Sequence, residues 1–95
     1  MMGSSDAEHS SADSLRAILA AFGTEQARQR FLDLCRDYFG ERVRGGTRRA
    51  EFHNAIMETY SRLRLQMPSE VVPLLTRKEV GNAIMDYFRH EGEEV

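Results

Sequence analysis

One cysteine, one lysine and two prolines are all that this chain of 95 residues holds of those types, and each scarcity excludes something. A single cysteine, Cys35, cannot build an internal disulfide framework and suits a reducing compartment, so an intracellular setting, cytoplasm or nucleus, is expected. No run approaches the roughly 18 apolar residues of a membrane span, and the N-terminus lacks the basic-then-apolar order of a secretory signal. No membrane partner is expected. Met2-Gly3 is followed by Ala7 where a myristoylation signal carries Ser or Thr, which excludes that anchor.

Catalytic groupings are as sparse. His9, His53 and His90 fall in a leader, a helix start and a tail. No His/Cys/Asp set has zinc-ligand spacing, and there is no calcium loop, glycine-rich phosphate loop or nucleophile elbow. Cys35 stands at helical steps from Phe31 and Leu34, the place of a core cysteine rather than a nucleophile. No enzyme, catalytic residue, metal or cofactor is expected.

What is present is an ordinary globular composition, 41% hydrophobic and 29% charged, in a chain long enough for one domain with one modest core. Residues 1–12, small, polar and serine-rich, read as a disordered leader, 13–91 as a single helical domain and 92–95 as an acidic tail. Three threonines punctuate the domain. Thr24, Thr47 and Thr76 each precede a run of helical periodicity and each is a candidate N-cap. With Ser11 or Asp13 opening a shorter first helix, they predict helices over about 12–21, 25–39, 48–65 and 77–90.

The inward faces of those helices carry Leu15, Ile18, Leu19 and Phe22; Ala27, Phe31, Leu34, Cys35 and Tyr38; Phe52, Ala55, Ile56, Thr59, Tyr60 and Leu63; and Val80, Ala83, Ile84, Tyr87 and Phe88. Gly40 reads as the stop of the second helix and Gly92 as the stop of the fourth. Between Gly40 and the Gly45-Gly46 turn, Val43 is a candidate for one short strand. Pro68 and Pro73 mark a ten-residue connection, QMPSEVVPLL, before the last helix. The fold class expected is mainly α: a three- to four-helix bundle with a helix-turn-helix-like core and at most one short strand.

Thr76 and Glu79 form the S/T-x-x-E capping box, yet Gly81 follows inside the helix, where glycine costs roughly 1 kcal/mol relative to alanine. A glycine there implies close approach of a neighbouring element.

Net charge is only −2, but its distribution is uneven. From Arg42 to Lys78 there are eight basic residues and three acidic ones, and the basic residues of the whole chain are twelve Arg to one Lys. Arginine's planar fork suits phosphate and carboxylate. A basic-ended helix, a turn-rich connector and a capped helix beginning with Arg77 and Lys78 have the order of a helix-turn-helix, whose second helix enters the major groove. On that reading Asn82 pairs with an adenine edge and Arg77 or Arg89 with guanine or phosphate. Arg42, Arg44, Arg48 and Arg49 then anchor phosphates.

The order FLDLC, RAEFHNAIMETY, LLTRKEVGNAI resembles the winged-helix domain attached to viral and phage helicase-primases of the superfamily-three type, a pattern that the eukaryotic regulatory-factor-X DNA-binding domain shares. Leu75, Thr76, Val80, Gly81 and Ile84 fall on the pattern of its last helix, Tyr60 on the preceding aromatic, and Phe31 and Cys35 on the first helix. The proline of that pattern is displaced by one residue, to Pro73, and the family's β-hairpin wing has no counterpart in HEGEEV. The resemblance implies a viral-type, wingless helix-turn-helix domain that binds double-stranded DNA through helix contacts alone. The alternative class is a helical protein-interaction or adaptor module, homo-oligomeric or virion-associated, for which net acidity and five methionines speak.

Overall fold

A computed structural model describes residues 11–67 and 70–94, and these form four α-helices with no strand among the described residues. They are α1 (Ser11–Ala20), α2 (Glu25–Arg44), α3 (Arg49–Gln66) and α4 (Arg77–Glu94). The mainly α bundle expected from periodicity is the fold observed. No described helix is long and apolar enough to cross a membrane. The leader expected over 1–12 lies outside the described residues except for Ser11 and Ala12, which are helical, Ala12 being fully buried.

The starts of α2, α3 and α4 have identifiable causes. Thr24, in extended conformation, accepts the Ala27 amide at 3.1 Å. At α4 both arms of the capping box close: the Glu79 amide donates to Thr76 Oγ1 at 3.1 Å and the Thr76 amide to Glu79 Oε1 at 2.8 Å. Thr47 does not cap α3. Arg48 occupies that position without a side-chain cap, and its amide donates instead to the Glu41 carboxylate of α2 at 3.1 Å.

Helix ends depart from expectation at two glycines. Gly40 does not stop α2, and Val43 is a helical, exposed residue rather than a strand. The stop is Gly45, in the left-handed region at φ 71°, with its amide on Arg42 O at 3.4 Å and the Gly46 amide on Glu41 O at 2.8 Å. This pair of bonds is the Schellman motif. Gly40 only weakens the helix locally, because a glycine ends a helix when its backbone turns left-handed, not by its presence. For the same reason Gly92 does not end α4, which continues to Glu94.

The helices pack as α2 along α3 and α1 along α4, with α4 also meeting α2. Ten residues are too few for α1 to persist alone. Leu15 and Ile18 are fully buried and Leu19 nearly so, which ties α1 to the bundle. The core unites them with Phe31, Cys35 and Tyr38 of α2, Ile56, Tyr60 and Leu63 of α3, and Val80, Ala83, Ile84 and Met85 of α4. Burying a side chain such as Phe31 or Ile84 contributes about 1.5–3 kcal/mol. Burial pushes the Cys35 thiol far above its ordinary range, which keeps it protonated and inert.

The proline-bearing connector is tethered rather than free. Val72 is fully buried, Arg64 donates to its carbonyl at 3.0 Å, and the Tyr60 hydroxyl both donates to Pro73 O and accepts the Leu75 amide at 2.8 Å. Tyr60→Phe strands both backbone groups and is expected to cost about 1–3 kcal/mol. Denaturant unfolding should show a lower midpoint with an unchanged slope; an unchanged midpoint refutes the tether.

Candidate nucleic-acid interface

Seven of the thirteen basic residues are held by carboxylates. Arg16, Arg28, Arg36, Arg44, Arg48, Arg62 and Arg89 pair with Asp13, Glu25, Asp33, Glu41, Glu51, Glu58 and Asp86, each three or four residues away. Arg64 is spent on the Val72 carbonyl. Among the described residues, Arg30, Arg42, Arg49, Arg77 and Lys78 have no carboxylate partner.

Three of those five come together. Arg42 from α2 and Arg77 and Lys78 from α4 line one open cleft of about 450 Å³ with Tyr38, His53 and Asn82. No acidic residue lines it. Thus Arg42, Arg77, Lys78 and Asn82, far apart in the chain, share one surface. Arg49 is exposed at the first turn of α3. Arg44 and Arg48 flank the Gly45-Gly46 turn but are engaged, Arg44 with Glu41 at 2.9 Å and Arg48 with Glu51 through two 3.1 Å bonds. Arg89 lies about two turns beyond Asn82 along α4 and outside the cleft, paired with Asp86 at 3.4 Å.

The cleft's frame is built from residues that sequence patterning assigned to other roles. Tyr38 is buried, receives a bond from the Arg42 guanidinium at 3.3 Å and lies under it at 5.8 Å from the ring centroid. The His53 ring packs on Tyr38 at 4.8 Å and its Nε2 donates to Arg77 O at 3.0 Å. That bond joins α3 to the first turn of α4 and fixes the Nε2-protonated form. Burial chiefly holds the His53 pKa below its ordinary value, the Arg77 and Arg42 charges add to this, and the bond to the Arg77 carbonyl opposes it.

Tyr38 and His53 stand seven residues before Gly45 and seven after Gly46. In an antiparallel hairpin turning on that pair they oppose one another. Stopping the second helix at Gly40 hides this register.

Gly81 completes the frame. A Cβ there would stand 2.8 Å from the Tyr38 hydroxyl and 3.3 Å from His53 Cε1. The glycine is thus the space in which that hydroxyl sits. Among the described residues no group of three or more His, Cys, Asp or Glu is placed to hold a metal ion.

Gly81→Ala gains roughly 1 kcal/mol of helix propensity but forces a buried ring to move, for an expected net loss of about 1–3 kcal/mol. Tyr38→Phe removes the clashing oxygen, so the loss should shrink in that background, as a double-mutant cycle of unfolding free energies would show. A stabilising Gly81→Ala overturns the packing assignment.

His53 also makes stability pH-dependent. Its folded pKa lies below the ordinary 6.5, so on acidification the unfolded chain takes up this proton before the folded one. The contribution is complete above pH 6.5 and is lost as pH falls through the lowered folded value. The expected result is a fall in unfolding midpoint below that pH, reduced in His53→Gln; equal profiles contradict it.

No protein-family model, no curated protein and no solved structure matches this chain. The functional reading therefore rests on the chemistry of the cleft itself.

Proposed function

We propose that the protein is a non-enzymatic, helix-turn-helix-like nucleic-acid-binding protein whose ligand is double-stranded DNA. The observation that carries this reading is the convergence of Arg42, Arg77 and Lys78 on a cleft without carboxylates, in a chain where most other arginines are neutralised locally. A cation left unpaired at the surface keeps its full attraction for phosphate, whereas a paired one must first exchange its carboxylate. Asn82 is exposed one turn beyond Lys78 and is a candidate for a base edge. Arg49, Arg44 and Arg48 extend the contact past the turn, and Arg89 continues it along α4. The similarity of the last helix to that of viral helicase-primase winged-helix domains belongs to the same proposal.

A second reading has its own observation. Leu65 and Leu74 are 87% and 76% exposed beside a cleft that they line with Met57, Tyr60 and Leu75. Exposed leucines around a cleft favour a protein-interaction role or self-association. Light scattering with and without a duplex separates the two readings, since only the first predicts a complex that depends on nucleic acid.

If each of the three cleft cations neutralises phosphate charge, the logarithm of duplex affinity should fall with the logarithm of salt concentration with a slope of up to about −2.7. Arg77→Ala/Lys78→Ala should shrink that slope by about 2 units while leaving the unfolding midpoint near that of the parent. Absence of binding to any duplex at about 50 mM salt rejects the reading.

A further inference from the structure

We infer that the cleft between α2, α3 and α4 receives a dianionic phosphomonoester, presented as the terminal phosphate of a nucleic-acid strand. The inference rests on the nucleic-acid reading above and says which part of the nucleic acid enters the cleft.

Charge balance is the first argument. A phosphodiester in a continuous strand carries one negative charge, while a monoester carries about 1.5 to 2 at neutral pH. Arg42, Arg77 and Lys78 line the cleft with three positive charges and no carboxylate. A terminal phosphate matches that excess better than a passing diester does.

Shape is the second. The cleft is open, and its volume of about 450 Å³ lies within the roughly 300–1,000 Å³ of small-ligand sites. A strand end brings three non-bridging phosphate oxygens to such a cleft, whereas each phosphate of a continuous backbone brings two. The Asn82 amide at the wall offers donors to a phosphate oxygen and an acceptor to the adjoining sugar or base.

Preorganisation is the third. One nitrogen of Arg42 is bonded to the Tyr38 hydroxyl while the guanidinium lies over that ring, leaving further N–H groups for a bidentate grip on phosphate. Gly81 leaves room for the hydroxyl that holds the arginine. His53 holds the carbonyl of Arg77, which sets the backbone from which the second cation projects. Tyr38, His53 and Gly81 are thus positioning residues, and Arg42, Arg77 and Lys78 are the ones that touch the ligand.

The test uses labelled duplexes, identical except for a 5′-phosphate, a 3′-phosphate or hydroxyl ends, titrated with the full chain and followed by anisotropy. A phosphorylated end should bind about tenfold more tightly than a hydroxyl end. That preference should be lost in Arg42→Met and in Lys78→Met; the unfolding midpoint should be retained in the exposed Lys78→Met, which keeps the test independent of the half-buried Arg42 and its bond to Tyr38. In parallel, the His53 ring resonances should move on addition of inorganic phosphate and remain in place with equal ionic strength of chloride. Equal affinity for all ends with normal salt dependence overturns this inference and leaves the nucleic-acid reading standing. No binding to any duplex overturns both. Preference for a phosphorylated peptide over a phosphorylated duplex assigns the cleft to another macromolecule and likewise overturns it, as does a phosphate titration that leaves His53 unmoved.

Discussion

The structure depends on how the Glu41 carboxylate is folded over the Gly45-Gly46 turn. This is the one charged side chain among the described residues that is almost wholly buried, with Arg44 on one oxygen and the Arg48 amide on the other. Burying a carboxylate is costly unless its oxygens are satisfied, and here the satisfying groups come from both sides of the turn. Gly45 supplies the left-handed backbone and Gly46 the empty space that the carboxylate fills. The end of α2 is thereby locked to the start of α3, and the register of the whole helical hairpin follows. Tyr38 is set opposite His53 and Phe31 near the level of Tyr60, so the same turn aligns both the cleft and the core.

The last helix docks onto that hairpin through few but directional contacts. The capping box fixes its first turn, the His53 bond to the Arg77 carbonyl anchors that turn to α3, and Gly81 admits the Tyr38 hydroxyl. The connector leading there carries two prolines and a buried valine, and Tyr60 and Arg64 bind its backbone. Backbone polar groups that regular structure leaves unpaired are met by side chains, as burial requires. The helical cost of Gly81 is thus offset by a packing arrangement that puts two cations from α4 beside one from α2.

Much of this was legible in the chain. The helices, their inward faces and the caps at Thr24 and Thr76 all follow from rules reaching only a few residues along the sequence. The sorting of arginines was legible too. Those neutralised locally have an Asp or Glu three or four positions away, whereas Arg42, Arg49, Arg77 and Lys78 have none at such spacings; Arg30 departs from the rule, because Asp33, three positions on, pairs with Arg36 instead. The cleft's frame was not. Tyr38 has the spacing of an ordinary core aromatic, and His53 seemed one of three scattered histidines. Gly40 masked the end of α2, because a helical glycine and a terminating one look alike until the backbone angle is known. Thr47 likewise has the chemistry of a cap, but a carboxylate from the neighbouring helix takes the nearby amide.

The sequence by itself determined the class of the fold, the four helices and, Arg30 apart, which cations stay unpaired, because helical periodicity, capping and charge pairing act over one or two turns. Only the tertiary structure decided that three of those cations meet, that Tyr38 and His53 frame them, and that Glu41 rather than Thr47 tends the start of α3. The first two outcomes join residues 15 to 40 positions apart, and the third reaches seven positions across the Gly45-Gly46 turn. Such contacts depend on how helices cross and on which side chain reaches a gap first, and neither is encoded in any short stretch of chain.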